Sequence, residues 1–305
     1  MKTKLTTIAR VIILILLYFI CFAAVSGVLF SSTAEQSTPE QSNAAVALLV
    51  VSCLNTVVLA YVVLRSNWAG WKLVAAVFVL MFGITTVMPQ IETAYFITRL
   101  PPGILPRIIL AGAIVAAIFS PLAVLILGKR KHRGPNSIDH PSLNLSVPEW
   151  TWKVALISIL YVIIYFTFGY FIAWQNAAVR AYYGGSDPGS FLAQMMNVPR
   201  DTPWLLPLQL VRAMLWTALA VVVIRMLKGG WWEAGLAVAL LFAVVMNSQL
   251  LIPNAFMPQE VRMVHLLETA SSNFLFGLLI VGVLSLGSTP VRAGPEQFTA
   301  NNARL

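Results

Sequence analysis

The sequence predicts an all-α protein threaded eight times through a membrane, and three observations predict it. Hydrophobic residues make up 59% of the 305 and charged residues only 10%, against about a quarter charged in a water-soluble domain. The apolar residues gather into runs of about 20, the helical length that crosses about 30 Å of hydrocarbon with every backbone group paired inside its own segment. The remaining charges fall between the runs, with the basic ones biased to alternate gaps. Such a chain is not a nucleic-acid reader, a secreted disulfide scaffold or a soluble nucleotide enzyme, and it carries no phosphate-binding glycine loop.

The first span, residues 8–30, follows Lys2, Lys4 and Arg10. Ala24-Val25-Ser26 is compatible with signal cleavage, but apolarity continues through Val28, Leu29 and Phe30, so the run is read as a retained helix. The next spans are 44–64, 70–88 and 104–127. Pro89 follows the third and is expected to interrupt or kink it, leaving a broken segment beyond. The fifth to eighth spans are 152–174, 205–227, 232–252 and 264–286. Asn247, Gln249, Pro253 and Asn254 make a comparable break after the seventh. Several spans are rich in Val and Ile, but their length and unbroken apolarity exceed those of barrel strands. Cys21 and Cys53 are read as buried free thiols that pack as small hydrophobes.

The net charge is +9, and its distribution sets the topology. Every lysine falls on the side of the N-terminus, together with Arg10, Arg65, Arg130, Arg133, Arg225, Arg292 and Arg304. The opposite side holds Arg99, Arg107, Arg180, Arg200, Arg212 and Arg262. The positive-inside rule therefore puts both termini in the cytoplasm, in the plasma membrane. Trp68, Trp71, Trp150, Trp152, Trp231 and Trp232 mark the inner interface, and Trp174, Tyr182, Tyr183 and Trp204 the outer one.

The loops divide the chain. Residues 31–43 form a polar outer loop, and 175–203 the longest outer segment, whose Gly184-Gly185 and Asp187-Pro188-Gly189 signal turns around a short helix or lid. Residues 129–151 form an inner linker that opens with Lys129-Arg130-Lys131-His132-Arg133, a run suited to anionic lipid headgroups. It separates a four-helix half, residues 1–128, from a second, 152–287, with 288–305 as a cytoplasmic tail. The halves echo each other weakly: Asn67-Trp68-Ala69-Gly70-Trp71-Lys72 resembles Lys228-Gly229-Gly230-Trp231-Trp232-Glu233, Met88-Pro89-Gln90 recurs at 257–259 and Glu92-Thr93-Ala94 at 268–270. Both halves start and end inside, as a parallel 4+4 repeat requires.

Ionisable groups at hydrocarbon depth are costly and mark pathways or sites. In the eighth span Arg262, His265, Glu268, Thr269, Ser272 and Asn273 share one arc of the helix, and Met263, Leu267, Ala270, Phe274 and Leu278 the other. Pro258, Gln259 and Glu260 suit its first turn. In the sixth span Gln209, Arg212 and Trp216 share a face. Glu92 lies at similar depth beyond Pro89. The expectation is an outward-facing polar pocket lined by Glu92, Arg212, Arg262, His265, Glu268 and Asn273, in a transporter or permease-like protein for a small polar or anionic solute. Two other classes compete. One is a non-catalytic subunit or scaffold in which Arg212 pairs with Glu92 or Glu268 to lock helices together. The other is a membrane enzyme acting on a lipid-linked substrate, with Glu268 and His265 as acid and base. Neither cofactor nor metal is expected, because His132 and His140 lie across the bilayer from His265 and a zinc site normally wants several imidazole or thiolate ligands.

Overall fold

The computed structural model describes residues 2–30, 43–97, 100–131, 143 and 145–287. The expectations for residues 31–42, Arg99, His132, Arg133, His140, Arg292, Arg304 and the tail lie outside these residues, as do those for the side chains of Lys2 and Lys4. Among the described residues the fold is all-helical, and eight helices are long and apolar enough to cross a membrane. The chain is a multi-pass membrane protein.

The first span is α1 (Lys2–Phe30) and the second α2 (Ala44–Arg65). The third is α3 (Gly70–Phe82), which passes through a π-helical turn (Gly83–Val87) into α4 (Met88–Phe96). This corrects the expected break: the span runs on past Pro89, which sits in the first turn of α4. The wider turn before it absorbs the displacement that a proline imposes on the preceding backbone. The fourth span is α5 (Ile104–Ile126).

The fifth span is α6 (Val147–Phe168) with a π-helical turn (Gly169–Ala173). It starts five residues before the expected boundary, inside the inner linker. Ser146 caps it: its backbone N–H and hydroxyl both donate to Glu149 Oε2 at 2.7 Å, and Pro148 occupies the first turn. Two short helices follow in the long loop, α7 (Ala177–Tyr183) and α8 (Phe191–Asp201). Asn176 Oδ1 accepts from the backbone of Ala178 and Val179 to start α7, and Gly184 at φ 71° ends it, the left-handed stop that glycine supplies.

The sixth span is α9 (Leu205–Met226). The seventh is α10 (Trp231–Leu240), followed by a π-helical turn (Leu241–Val245) and a 3-10 segment (Ser248–Leu251). Asn247 Nδ2 donates to the carbonyls of Phe242 and Ala243 at 3.1 and 2.9 Å, satisfying acceptors that the wide turn leaves open. The eighth span is α11 (Gln259–Ser285), with Pro258 at its N-cap.

α1 packs on α2 and α5, and α3 on α5; α6 packs on α9 and α11, and α10 on α11. The two four-helix groups thus repeat one neighbour pattern in chain order. They meet where α2 lies against the end of the seventh span and α3 against α9. The tryptophan turns correspond in place, since the ends of α2 and α9 join through an isolated antiparallel bridge, Ser66 to Leu227. The tripeptide echoes do not: Met88-Pro89-Gln90 continues the third span, whereas Met257-Pro258-Gln259 opens the eighth.

One apolar core runs through the spans, with Tyr18, Phe119, Trp216, Phe242 and Phe276 at its centre. Small residues let backbones approach there: a Cβ on Gly277 of α11 would come within 2.7 Å of Ala239 Cα. The outer surface is apolar too, as on α1 at Ile8, Ile12, Leu16 and Ile20, which face the bilayer. Cys53 is exposed on that surface and Cys21 partly buried, so neither is the buried thiol the sequence suggested: α1 is peripheral, and Cys53 lies on the face of α2 turned away from its packed neighbours.

Candidate functional site

The polar groups of the far end, opposite the lysine-rich face, are brought together by α4, α6, α7, α9 and α11. The central one is Arg212. At 2% exposure it is one of the largest buried side chains, and its guanidinium ion-pairs with Glu92 through Nη1. Nη1 also donates to Gln209 Oε1 at 2.9 Å. The guanidinium carbon lies 5.9 Å from the centre of the Tyr161 ring. Glu92 keeps a quarter of its side chain exposed.

Arg212 pairs with Glu92 because the helix continues through the π-helical turn past Pro89, carrying Glu92 down the third span to face α9. Gln209 and Arg212 are one turn apart on that helix. Each leaves a buried donor without an acceptor, Gln209 Nε2 and Arg212 Nε. Orphaned buried donors are uncommon, because each forfeits the hydration it had in water.

The second pair lies on α11. His265 Nδ1 meets Glu268 Oε2 at 2.8 Å, and His265 Nε2 meets the Tyr183 hydroxyl at 3.1 Å. A carboxylate only accepts, so Nδ1 carries the proton, and in a neutral ring Nε2 accepts from Tyr183. Burial pushes the Tyr183 hydroxyl well above its ordinary value, which keeps it the donor. Its ring stands edge-on to His265 at 5.6 Å and to Phe96 of α4 at 6.3 Å, bridging the third and eighth spans. Tyr182 donates to the Phe256 carbonyl at 2.9 Å, and Asn176 to Glu260 Oε1 at 3.1 Å. These bonds fasten α7 to the approach to α11 and to its first turn.

The two pairs share one electrostatic neighbourhood. Glu92 is close enough to act on His265, and Glu92, Arg212 and Glu268 all act on Tyr161 and Tyr165. Glu268 lies against Gly169 of the π-helical turn that ends α6, where an added Cβ would stand 3.5 Å from its Oε1. Of the six residues picked from the sequence, Glu92, Arg212, His265 and Glu268 converge. Arg262 is buried at a different place, with Nη1 on the Leu250 carbonyl at 3.2 Å, and Asn273 Nδ2 meets Met246 Sδ at 3.1 Å.

Tyr183, read from the sequence as a headgroup-level aromatic, proves to be a direct partner of His265. Tyr161 and Tyr165 carried no signal beyond being apolar-span residues. Among the described residues no three His, Cys, Asp or Glu side chains gather as a metal site would need. The chain matches no protein-family model, no curated protein and no solved structure.

Proposed function

We propose that this protein is a transporter or permease-like protein for a small polar or anionic solute, set in the cell membrane with its lysine-rich face toward the cytoplasm. The observation that carries this reading is the donor-rich face of α9. Arg212 is buried with one carboxylate, while Arg212 Nε and Gln209 Nε2 point no hydrogen at any acceptor. An incoming carboxylate or phosphate could take those donors and displace Glu92 from the guanidinium. Glu92 would then bind a proton or turn toward the outer solution, where it is already a quarter exposed.

His265, held by Glu268, offers a proton acceptor beside this exchange, and imidazole is the side chain that ordinarily titrates nearest neutral pH. Arg262 and Asn273 serve structure in this reading, holding the Leu250 carbonyl and Met246. The repeated neighbour pattern supports a parallel 4+4 repeat, the architecture in which halves rock about a shared site. The Glu268–His265–Tyr183 chain favours one competing reading, a membrane enzyme using His265 as a base on a lipid-linked substrate.

The test screens purified protein for thermal stabilisation by small carboxylates and phosphate esters, then measures uptake of any hit in proteoliposomes. Transport predicts uptake that Arg212→Gln and Glu268→Gln abolish while both variants insert and stay folded. Chemical turnover of the hit without uptake supports the enzyme. Equal loss of protein level in both variants means that the cluster is only an internal lock.

A further inference from the structure

At the lysine-rich face, three basic side chains crowd around the contact that joins the two four-helix groups. Asn67 N–H donates to the Met226 carbonyl at 2.6 Å and Lys228 N–H to the Arg65 carbonyl at 3.1 Å, one on each side of the Ser66–Leu227 bridge. Lys129 reaches in from beyond α5, and its ammonium donates to the Ser66 carbonyl at 2.7 Å. Lys228 and Arg65 are both near enough to repel it. Arg10 adds a fourth cation, with its guanidinium against Gly128.

The nearby carboxylate is already engaged. Glu233 receives Arg65 Nε on one oxygen and Nη2 on the other, and Tyr61 donates to it too. Among the described residues neither Lys129 nor Lys228 has a carboxylate partner. Neighbouring ammonium groups repel each other, and a negative group placed between them relieves that repulsion.

The surroundings say what that is. Trp71 and Trp232, at the starts of α3 and α10, are 82% and 68% exposed, and Lys72 lies 4.1 Å over the Trp68 ring. Tryptophans at the ends of spanning helices sit at the level of the lipid headgroups. The cationic cluster is therefore flanked by a headgroup-level belt, where the local anions are lipid phosphates. We propose that Lys129, Lys228 and Arg65 bind a phosphate oxyanion, supplied by an anionic lipid headgroup of the adjoining leaflet, over the contact that joins the two groups. Lys129 keeps two N–H bonds for it beyond the one to Ser66, and Arg65 keeps Nη1. The sequence run from Lys129 to Arg133 pointed to headgroups generally; the fold selects Lys129 from it and adds Lys228 and Arg65 from distant positions.

Burial first, and then Lys228 and Arg65, lower the Lys129 ammonium to about 8. A bound anion favours its charged form, so lipid retention weakens as pH rises through that value. The experiment uses the full chain in phosphatidylglycerol or in phosphatidylcholine vesicles, the latter with and without inorganic phosphate. Melting midpoint and lipid retained in native mass spectrometry are read.

Phosphatidylglycerol should raise the midpoint of the wild type over phosphatidylcholine. The double variant Lys129→Gln with Lys228→Gln should lose that rise and retain at least tenfold less lipid, whereas Lys131→Gln, which removes one exposed charge from the same segment, should keep both. Wild-type retention in the double variant, or equal loss in Lys131→Gln, overturns the site. An equal rise from inorganic phosphate alone keeps the oxyanion but overturns its lipid source. If the double variant melts below wild type in phosphatidylcholine, the double arginine variant at these positions decides: retention supports the site and loss overturns it.

Discussion

The Glu92–Arg212 pair predicts an asymmetry that can be worked from exposure alone. Glu92→Met removes the counter-ion from a guanidinium that is 2% exposed and cannot shed its proton. Leaving a buried charge uncompensated costs about 3–5 kcal/mol. Arg212→Met instead strands a carboxylate that is 25% exposed, which can hydrate or take up a proton, so about 1–3 kcal/mol is expected for the lost hydrogen bonds. At about 2 °C per kcal/mol for a chain of this size, the first variant should melt about 6–10 °C below wild type and the second about 2–6 °C. The Glu92→Met, Arg212→Met double variant should sit above the sum of the two losses, because neither stranded charge remains. The assay is the fraction of monodisperse protein after heating in one detergent. A larger loss for Arg212→Met, or additive losses in the double variant, would refute the claim that charge burial governs this pair.

Three further outcomes follow from the geometry. Tyr183→Phe removes the hydroxyl bonded to His265, so hydrogen exchange across α7 should quicken several-fold, as expected for about 1 kcal/mol of lost bonding; unchanged exchange would mean that Tyr182 and Asn176 hold α7 without it. Gly277→Leu should destabilise by at least about 1–3 kcal/mol because its side chain collides with the Ala239 backbone, while Gly282→Leu, where a Cβ meets nothing within 4 Å, should melt near wild type. Lys129 is lowered to about 8 in the fold and returns to an ordinary lysine value near 10.4 when unfolded. Between those values the unfolded chain binds the extra proton, so in zwitterionic lipid stability should rise with pH across that window, and Lys129→Gln should flatten the rise.

The number of spans was legible because hydrocarbon thickness fixes helix length, and length is visible in unbroken apolar runs. The three π-helical turns were not, because their open carbonyls are closed by groups such as Asn247, whose placement depends on the folded neighbours. Glu92, Arg212, His265 and Glu268 were legible as costly groups at one depth. Arg262 shows the limit of a helical wheel: it shares the arc of His265, yet the end of the 3-10 segment presents the Leu250 carbonyl and captures it. Tyr183 was missed for the opposite reason. Nothing local distinguishes it from the adjacent Tyr182, and only the packing of α7 on α11 brings its hydroxyl to the imidazole.

The joint between the ends of α2 and α9 is closed by main-chain amides and carbonyls, and it is sheltered: Ser66 and Leu227 are 1% and 2% exposed, so added bulk at either place would strain it. Proline at 67 or 228, lacking the N–H, would unfasten one of its stitches. The two bundles are thereby coupled by a stretch of paired backbone that the Asn67 amide and the Lys129 ammonium reinforce through its carbonyls.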